Sequence, residues 1–163
     1  SYAPIQLSRY VTTVANSGTC YDLTLIDQVK DVNGNVILDN HAKVRNTVNI
    51  ANSTWKAVHN GMYRVVNGSR SSIGSMFSGM KVKIAGKTGT AQQSKLHANH
   101  AYFVSYAPYK NPEISVTCVI PNGFTSSNAA QTARDVYKYY FSKNKKKVSG
   151  KIKMPESNTT HTD

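Results

Sequence analysis

The stretch Val82-Lys83-Ile84-Ala85-Gly86-Lys87-Thr88-Gly89-Thr90-Ala91-Gln92 most constrains what this chain can become. Up to Lys87 it alternates charged and apolar residues at a period of two, the pattern of a half-buried strand. At Lys87 the character changes. A lysine, two hydroxyl residues and a glycine arrive together, flanked by small Gly86 and Ala91. A glycine inside a strand pattern marks close approach by another group, and a ligand laid along the strand edge is expected to be that group. Lys87 would offer a fixed positive charge, Thr88 and Thr90 hydroxyl donors, and Gly89 room for the ligand backbone. Such a set suits a substrate ending in a carboxylate. Charge-assisted hydrogen bonds would hold that end while the peptide pairs with the strand. For Lys-Thr-Gly alone, an edge strand whose lysine deters aggregation is the better reading.

The rest of the chain supplies a frame for that strand. A helix is expected over 4–16, with Pro4 in its first turn and Asn16-Ser17-Gly18 as its stop. Residues 19–31 read as extended chain, and Asn33-Gly34-Asn35 as a tight turn returning through Val36-Ile37-Leu38, so a hairpin is expected. Residues 41–50 are polar and poorly patterned. Asn52-Ser53 could cap a helix over 54–66, with Trp55, Val58, Met62, Val65 and Val66 as its apolar stripe and Asn67-Gly68 as its end. Residues 69–80 read as a loop or broken helix. Further strands are expected over 100–107 and 114–120, and a helix over 128–141. This order predicts an α+β fold, an antiparallel β-sheet covered by helices.

Composition narrows the function classes. Twenty Lys and Arg against eight Asp and Glu give 163 residues a formal net charge of +12. No recognition-helix pattern or aromatic-basic RNA motif accompanies that charge, so no nucleic-acid partner is expected. A solvated basic face is the plain reading. No apolar run is long enough to cross a bilayer. The chain opens on Ser1-Tyr2-Ala3-Pro4 without an initiator Met, which reads as a fragment. One domain, or a large part of one, and a tail are expected: residues 1–141 as the globular part, and residues 142–163 as a basic, disordered tail. Cys118 falls on an apolar parity and Trp55 on a helix face, so both are expected in the core. His41 and His59 read as structural or solvated.

Several segments in order carry a resemblance. Pro4-Ile5-Gln6-Leu7 with Val14-Ala15-Asn16-Ser17-Gly18-Thr19, then Gly61-Met62-Tyr63-Arg64-Val65-Val66, then Ala85 to Gln92, then His100-Ala101-Tyr102-Phe103-Val104-Ser105-Tyr106-Ala107-Pro108 resemble class B penicillin-binding proteins. Lys-Thr-Gly belongs to the active-site motif set of such enzymes. The resemblance covers about residues 4–141. It implies a penicillin-binding/β-lactamase-like transpeptidase fold and a serine D,D-transpeptidase that joins peptidoglycan stem peptides ending in D-Ala-D-Ala through an acyl-serine, which β-lactams trap. It implies a location on the extracytoplasmic face of the bacterial membrane, with an anchor outside this chain. Lys87, Thr88 and Gly89 would bind the substrate. Thr90 would bind it too, and its backbone amide would form half of the oxyanion hole.

The departure from the family is as informative. The family's Ser-x-x-Lys nucleophile motif, and the Ser-x-Asn that follows it, precede the Lys-Thr-Gly strand. Here Ser142-Lys143-Asn144-Lys145 and Ser126-Ser127-Asn128 fit those spellings only after it, and both read as chance. The chain is therefore expected to be the C-terminal part of a transpeptidase domain. Its partner would be the N-terminal part of the same domain, which supplies the serine; alone it should not turn over. A β-lactamase or D,D-carboxypeptidase fragment shares the strand, and a non-catalytic basic module that binds the wall is a reading from another class.

Four further residues have two readings: either His97 is a solvated loop residue, Cys20 a buried thiol and Asp22 a strand-end cap, or they form a metal site with His100. His97-Ala98-Asn99-His100 brings two ligands to one short turn, and Cys20-Tyr21-Asp22 places a thiol and a carboxylate on one side of an extended segment. Cys20, Asp22, His97 and His100 would make a tetrahedral donor set for structural zinc. Some members of the class that the chain resembles bind zinc.

Overall fold

The computed structural model describes residues 2–92 and 95–142; the expected tail at 142–163 lies, beyond Ser142, outside the described residues. Helix α1 (Pro4–Ala15) starts where Pro4 needs no hydrogen-bond partner and the Gln6 side chain accepts from the Ala3 amide at 2.8 Å. It stops at Ser17 and Gly18, both at positive φ. Gly18 is obligatory there, because a Cβ would collide with the carbonyl oxygen of Val48.

Four short strands follow. β1 (Thr19–Tyr21) pairs antiparallel with β4 (Val44–Thr47), and β2 (Gln28–Lys30) with β3 (Val36–Asp39). The expected hairpin is present, and the Asp31 carboxylate tightens its turn by accepting from the amides of Asn33 and Asn35. Those bonds, the one from the Asn35 side chain foremost, hold the Asp31 carboxyl below its ordinary value. The hairpin adds nothing to the core: Val29, Val36, Ile37 and Leu38 are all exposed.

Helix α2 (Asn52–Asn67) begins two residues earlier than expected, with Ala51 as its N-cap and no side-chain cap, so Asn52 and Ser53 lie inside the helix. Trp55, Met62 and Val66 are buried, Val65 is half-buried and Val58 faces outward. A short 3-10 turn (Gly74–Phe77) leads on to β5 (Ala85–Ala91). With β6 (His100–Ala107) and β7 (Ile114–Ile120) it forms an antiparallel sheet in the order β5-β6-β7. Helix α3 (Ser126–Tyr140) closes the fold.

The sheet is covered on both faces, as alternation requires. Ala101, Phe103 and Ala107 pack with Ala129, Ala130, Ala133 and Tyr137 of α3, and with Ile73 and Phe77. Tyr106 and Ala85 point the other way, into Val11 and Val14 of α1 and Trp55 and Met62 of α2. Small alanines on α3 let that helix settle close to the strands. Cys118 packs half-buried against the first cluster, and burial pushes its thiol up. His59 is structural: its Nε2 lies 2.7 Å from the Val14 carbonyl oxygen, between the rings of Trp55 and Tyr106.

Candidate functional site

The motif stretch occupies the edge strand. β5 pairs through Ala85↔Tyr106 to Ala91↔His100 with β6, and among the described residues no strand pairs with its other side. An edge strand leaves every second N–H and C=O unpaired, which is the template an extended peptide needs. Pairing continues below the strand, where the Tyr109 amide donates to the Lys83 carbonyl at 2.7 Å. The strand therefore enters the site already anchored.

Period two sorts the four candidate residues. Thr88 and Thr90 register with Phe103 and Ala101 and share the α3 face, while Lys87 and Gly89 register with Val104 and Tyr102 and share the other. The two hydroxyls lie one strand repeat apart, about 7 Å, close enough to bracket one carboxylate at the edge. Lys87 is exposed, and its ammonium donates to the Thr88 carbonyl at 2.6 Å. It brings positive charge to the edge from the opposite face.

The glycines divide differently from the sequence expectation. A Cβ at Gly86 would sit 2.5 Å from Cζ of Phe103, so the group that approaches Gly86 is the protein's own core ring. At Gly89 the nearest atom would be Cβ of Tyr102 at 3.3 Å, a tight but tolerable contact. Gly89 alone fits the expectation of a glycine open to a ligand.

Beside Thr88 lies a recess that motif reading did not find. Gly61, Arg64 and Val65 of α2, Ser69, Arg70 and Ser72 of the following loop, and Thr88 enclose about 590 Å³. The family-like string Gly61–Val66 contains Arg64, but nothing in it says that the helix end faces β5. The Asn67 side chain shows why it does: it donates to the Ile84 carbonyl at 2.8 Å and ties α2 to the start of the strand.

The zinc donors do not come together. Among the described residues no group of three or more His, Cys, Asp and Glu side chains is placed to hold a metal ion. β1 itself stays regular, and the extra residue of its bulged partner β4 is Arg45, between Asn46 opposite Cys20 and Val44 opposite Tyr21. Cys20 is buried. Asp22 instead meets Arg45 at 3.4 Å. The Nδ1 atom of His100 accepts from the Asn122 amide at 2.9 Å, and His97 is exposed on the connection before β6. The Ser126-Ser127-Asn128 string is likewise spent on structure, opening α3 with the Asn128 side chain donating to the Gly123 carbonyl at 2.9 Å.

An antiparallel sheet sandwiched by helices, with a Lys-Thr-Gly-Thr string on its open edge, defines a class of α+β fold with an edge available to an extended peptide. The comparisons narrow the class. Residues 1–138 match the penicillin binding protein transpeptidase domain, and the chain belongs to that family. It is 34% identical to penicillin-binding protein 2B of Streptococcus pneumoniae over 86% of this chain and 22% of the relative. It is also 34% identical to the peptidoglycan D,D-transpeptidase MrdA of Haemophilus influenzae, over 84% of this chain and 23% of the relative. A solved structure of the pneumococcal protein superposes with a TM-score of 0.74 at 31% identity, covering 88% of this chain and 26% of that one. Pseudomonas aeruginosa PBP2 superposes with a TM-score of 0.66 at 30% identity, covering 94% of this chain and 34% of that one. The chain thus spans about a fifth to a quarter of the length of the curated relatives it matches.

Proposed function

We propose that this chain is the C-terminal part of a serine D,D-transpeptidase domain and supplies the wall of the active site that binds the peptide and stabilises its oxyanion. The single observation that carries the reading is Lys87-Thr88-Gly89-Thr90 on an open sheet edge in a chain of the transpeptidase family. In this reading a stem peptide ending in D-Ala-D-Ala lies along β5. Its terminal carboxylate accepts from the hydroxyls of Thr88 and Thr90, and Lys87 adds charge at the same edge. The Thr90 amide donates to the oxyanion that forms when serine attacks the penultimate carbonyl. The serine comes from the remainder of the domain. Its oxygen forms an ester as the terminal D-Ala leaves, and the amine of a neighbouring stem then displaces the serine. β-Lactams present the same carboxylate and carbonyl, so they acylate the same serine. The enzyme works outside the cytoplasmic membrane; among the described residues no helix is long and apolar enough to cross a membrane, and the anchor is assigned to the remainder of the protein. Zinc is not carried into this proposal, because among the described residues no group of three or more His, Cys, Asp and Glu is placed to hold a metal ion.

The test uses the protein with its upstream segment. A fluorescent penicillin should label it covalently and persistently. Thr88→Val keeps the shape and removes one hydroxyl, and should slow acylation about tenfold, as loss of a hydrogen bond to a charged group does. Absence of any label refutes the reading, and rapid release of the label moves it to a β-lactamase.

A further inference from the structure

At the entry to β5 the surface carries a groove that lies away from the Lys87-Thr88-Gly89 edge. Two recesses of about 380 Å³ and 420 Å³ adjoin there, and Lys81 lines both. Lys83, Lys110, Tyr63 and Tyr109 line the first, and Lys138 and Phe141 the second. Thr88 lies five residues beyond Lys83, about 16 Å along an extended strand. The backbone explains why the lysines stay outside. Val82 packs against the core on the α3 side, while its neighbours Lys81 and Lys83 are exposed, as are Lys110 and Lys138. The bond from the Tyr109 amide to the Lys83 carbonyl ties the turn after β6 to this segment, and the ring centroids of Tyr63 and Tyr109 lie 4.6 Å apart. An aromatic pair, held from α2 and from that turn, therefore sits among the cations. The acids nearest in sequence, Glu113 and Asp135, do not line either recess, and Asp135 pairs with Arg134 at 2.8 Å. None of the four lysines takes part in the ion pairs of the described residues.

A single small ion needs donors that converge on one point. These four cations come from three segments and spread along two adjoining recesses, which matches a charge that repeats along a chain. All four are lysines. An ammonium is a compact point charge without the planar fork that grips a carboxylate in parallel, and it suits phosphate oxygens approached from several directions. The tyrosine pair offers ring faces to the carbon units between charges, with hydroxyls at their tips. A broad lipid surface could meet the exposed ammonium groups, but it would leave the recessed rings untouched. We propose that this groove docks a linear polyol-phosphate or sugar-phosphate polymer, with Lys81, Lys83, Lys110 and Lys138 on its phosphates and Tyr63 and Tyr109 on the intervening carbon units. This is a binding function separate from acyl transfer. It holds the domain on an anionic polymer and leaves the open edge of β5 free.

The experiment measures binding of fluorescent polyglycerol phosphate to the protein with its upstream segment, by anisotropy across a salt series. The wild type should bind this polymer more tightly than polyglutamate of equal charge, and more tightly than phosphatidylglycerol vesicles. Lys81→Gln/Lys83→Gln/Lys110→Gln should weaken binding at least about tenfold. It should also lower the slope of log K against log salt by about two, roughly 0.7 for each phosphate no longer neutralised. Lys30→Gln/Lys43→Gln/Lys56→Gln removes the same net charge elsewhere and should change affinity less than about twofold, because charges beyond a Debye length are screened. Tyr63→Leu keeps every charge and should weaken binding about threefold at an unchanged slope. Each preparation is matched for folded fraction by its unfolding transition, so misfolding does not mimic the result. Equal losses in the two triple variants overturn the groove, as does a wild type that does not bind the polymer or binds polyglutamate as tightly. A preference for the vesicles that the first triple variant abolishes overturns the polymer and assigns the lysines to a lipid surface.

Discussion

Replacing Gly86 by alanine separates two explanations of a glycine in a substrate-binding strand. If Gly86 is small to admit a ligand, Gly86→Ala strikes the reaction and spares stability. The packing says the reverse. The added Cβ would meet Cζ of Phe103 at 2.5 Å, Cε2 at 2.8 Å and Cβ of Ser105 at 3.1 Å. Phe103 has little room to yield, since it is fully buried and its ring centroid lies 5.9 Å from that of Phe77. Overpacking of this kind costs about 1–3 kcal/mol, and the alanine recovers about 0.5–1 kcal/mol by restricting the unfolded chain. The net loss is at most about 2.5 kcal/mol with a midpoint of about 1 kcal/mol, which lowers Tm by roughly 2–4 °C for a domain of this size class. Scanning calorimetry on the protein with its upstream segment gives the shift, and penicillin acylation of the same samples gives the effect on reaction. Phe103→Leu removes the ring edge that the new methyl strikes. The double variant should then be about 1 kcal/mol more stable than the sum of the single losses, the coupling of touching residues. Additive losses would refute the placement of Gly86 against the core, as would an unchanged Tm with slowed acylation.

Tyr137→Phe removes a hydroxyl that donates to Ser105 at 2.9 Å inside the core, and should cost about 1 kcal/mol in denaturant unfolding; no loss would show that this bond is not formed. Tyr106→Phe should leave stability unchanged or slightly raised, because the Tyr106 hydroxyl is buried without a partner among the described residues. The same two tyrosines set an alkaline limit. Burial, with Tyr109 adding to it, pushes the Tyr106 hydroxyl up to about 12, and burial also pushes Tyr137 up. The folded state therefore keeps protons that the unfolded chain releases: stability is intact below pH 10 and falls as pH rises through 10 toward 12. Tyr106→Phe should flatten that decline in pH-dependent melting, and an unchanged slope would refute the assignment. His97→Ala should leave Tm unmoved, since His97 is exposed; a chelator-induced loss of stability that His97→Ala abolishes would restore the zinc reading.

What was legible in the sequence was local. Asn33-Gly34 marks its hairpin because a glycine at φ 88° in a two-strand turn leaves a signal in the residues themselves. Strand β7 is readable because its apolar residues alternate from Ile114 to Ile120. Strand β4 is not readable, because every one of its residues is exposed; it is a strand only by virtue of β1, which lies more than twenty positions earlier. The helix start at Ala51 escaped for a related reason. Asn52 and Ser53 are good capping residues, but a helix begins where its backbone turns, and here that point is Ala51, one residue before the nearest capping side chain.

The candidate site divides along the same line. Its motif is eight consecutive residues and could be read as written, whereas the arginines of the recess lie 18 and 24 positions before Thr88 and reach it only because Asn67 fastens the end of α2 to Ile84. The zinc set was read from spacing alone, and in the fold Asp22 meets Arg45, the extra residue of a bulge in β4. The period that identifies β5 also decides its chemistry. It separates the Lys87 side chain from the hydroxyls of Thr88 and Thr90, and it sets Thr88 in the lining of the recess that Arg64 and Arg70 also line. The hydroxyl donors of this edge therefore lie on the α3 face, and its lysine on the other. Charge removed at Lys87 should slow every peptide alike, because every peptide brings its terminal carboxylate to this edge.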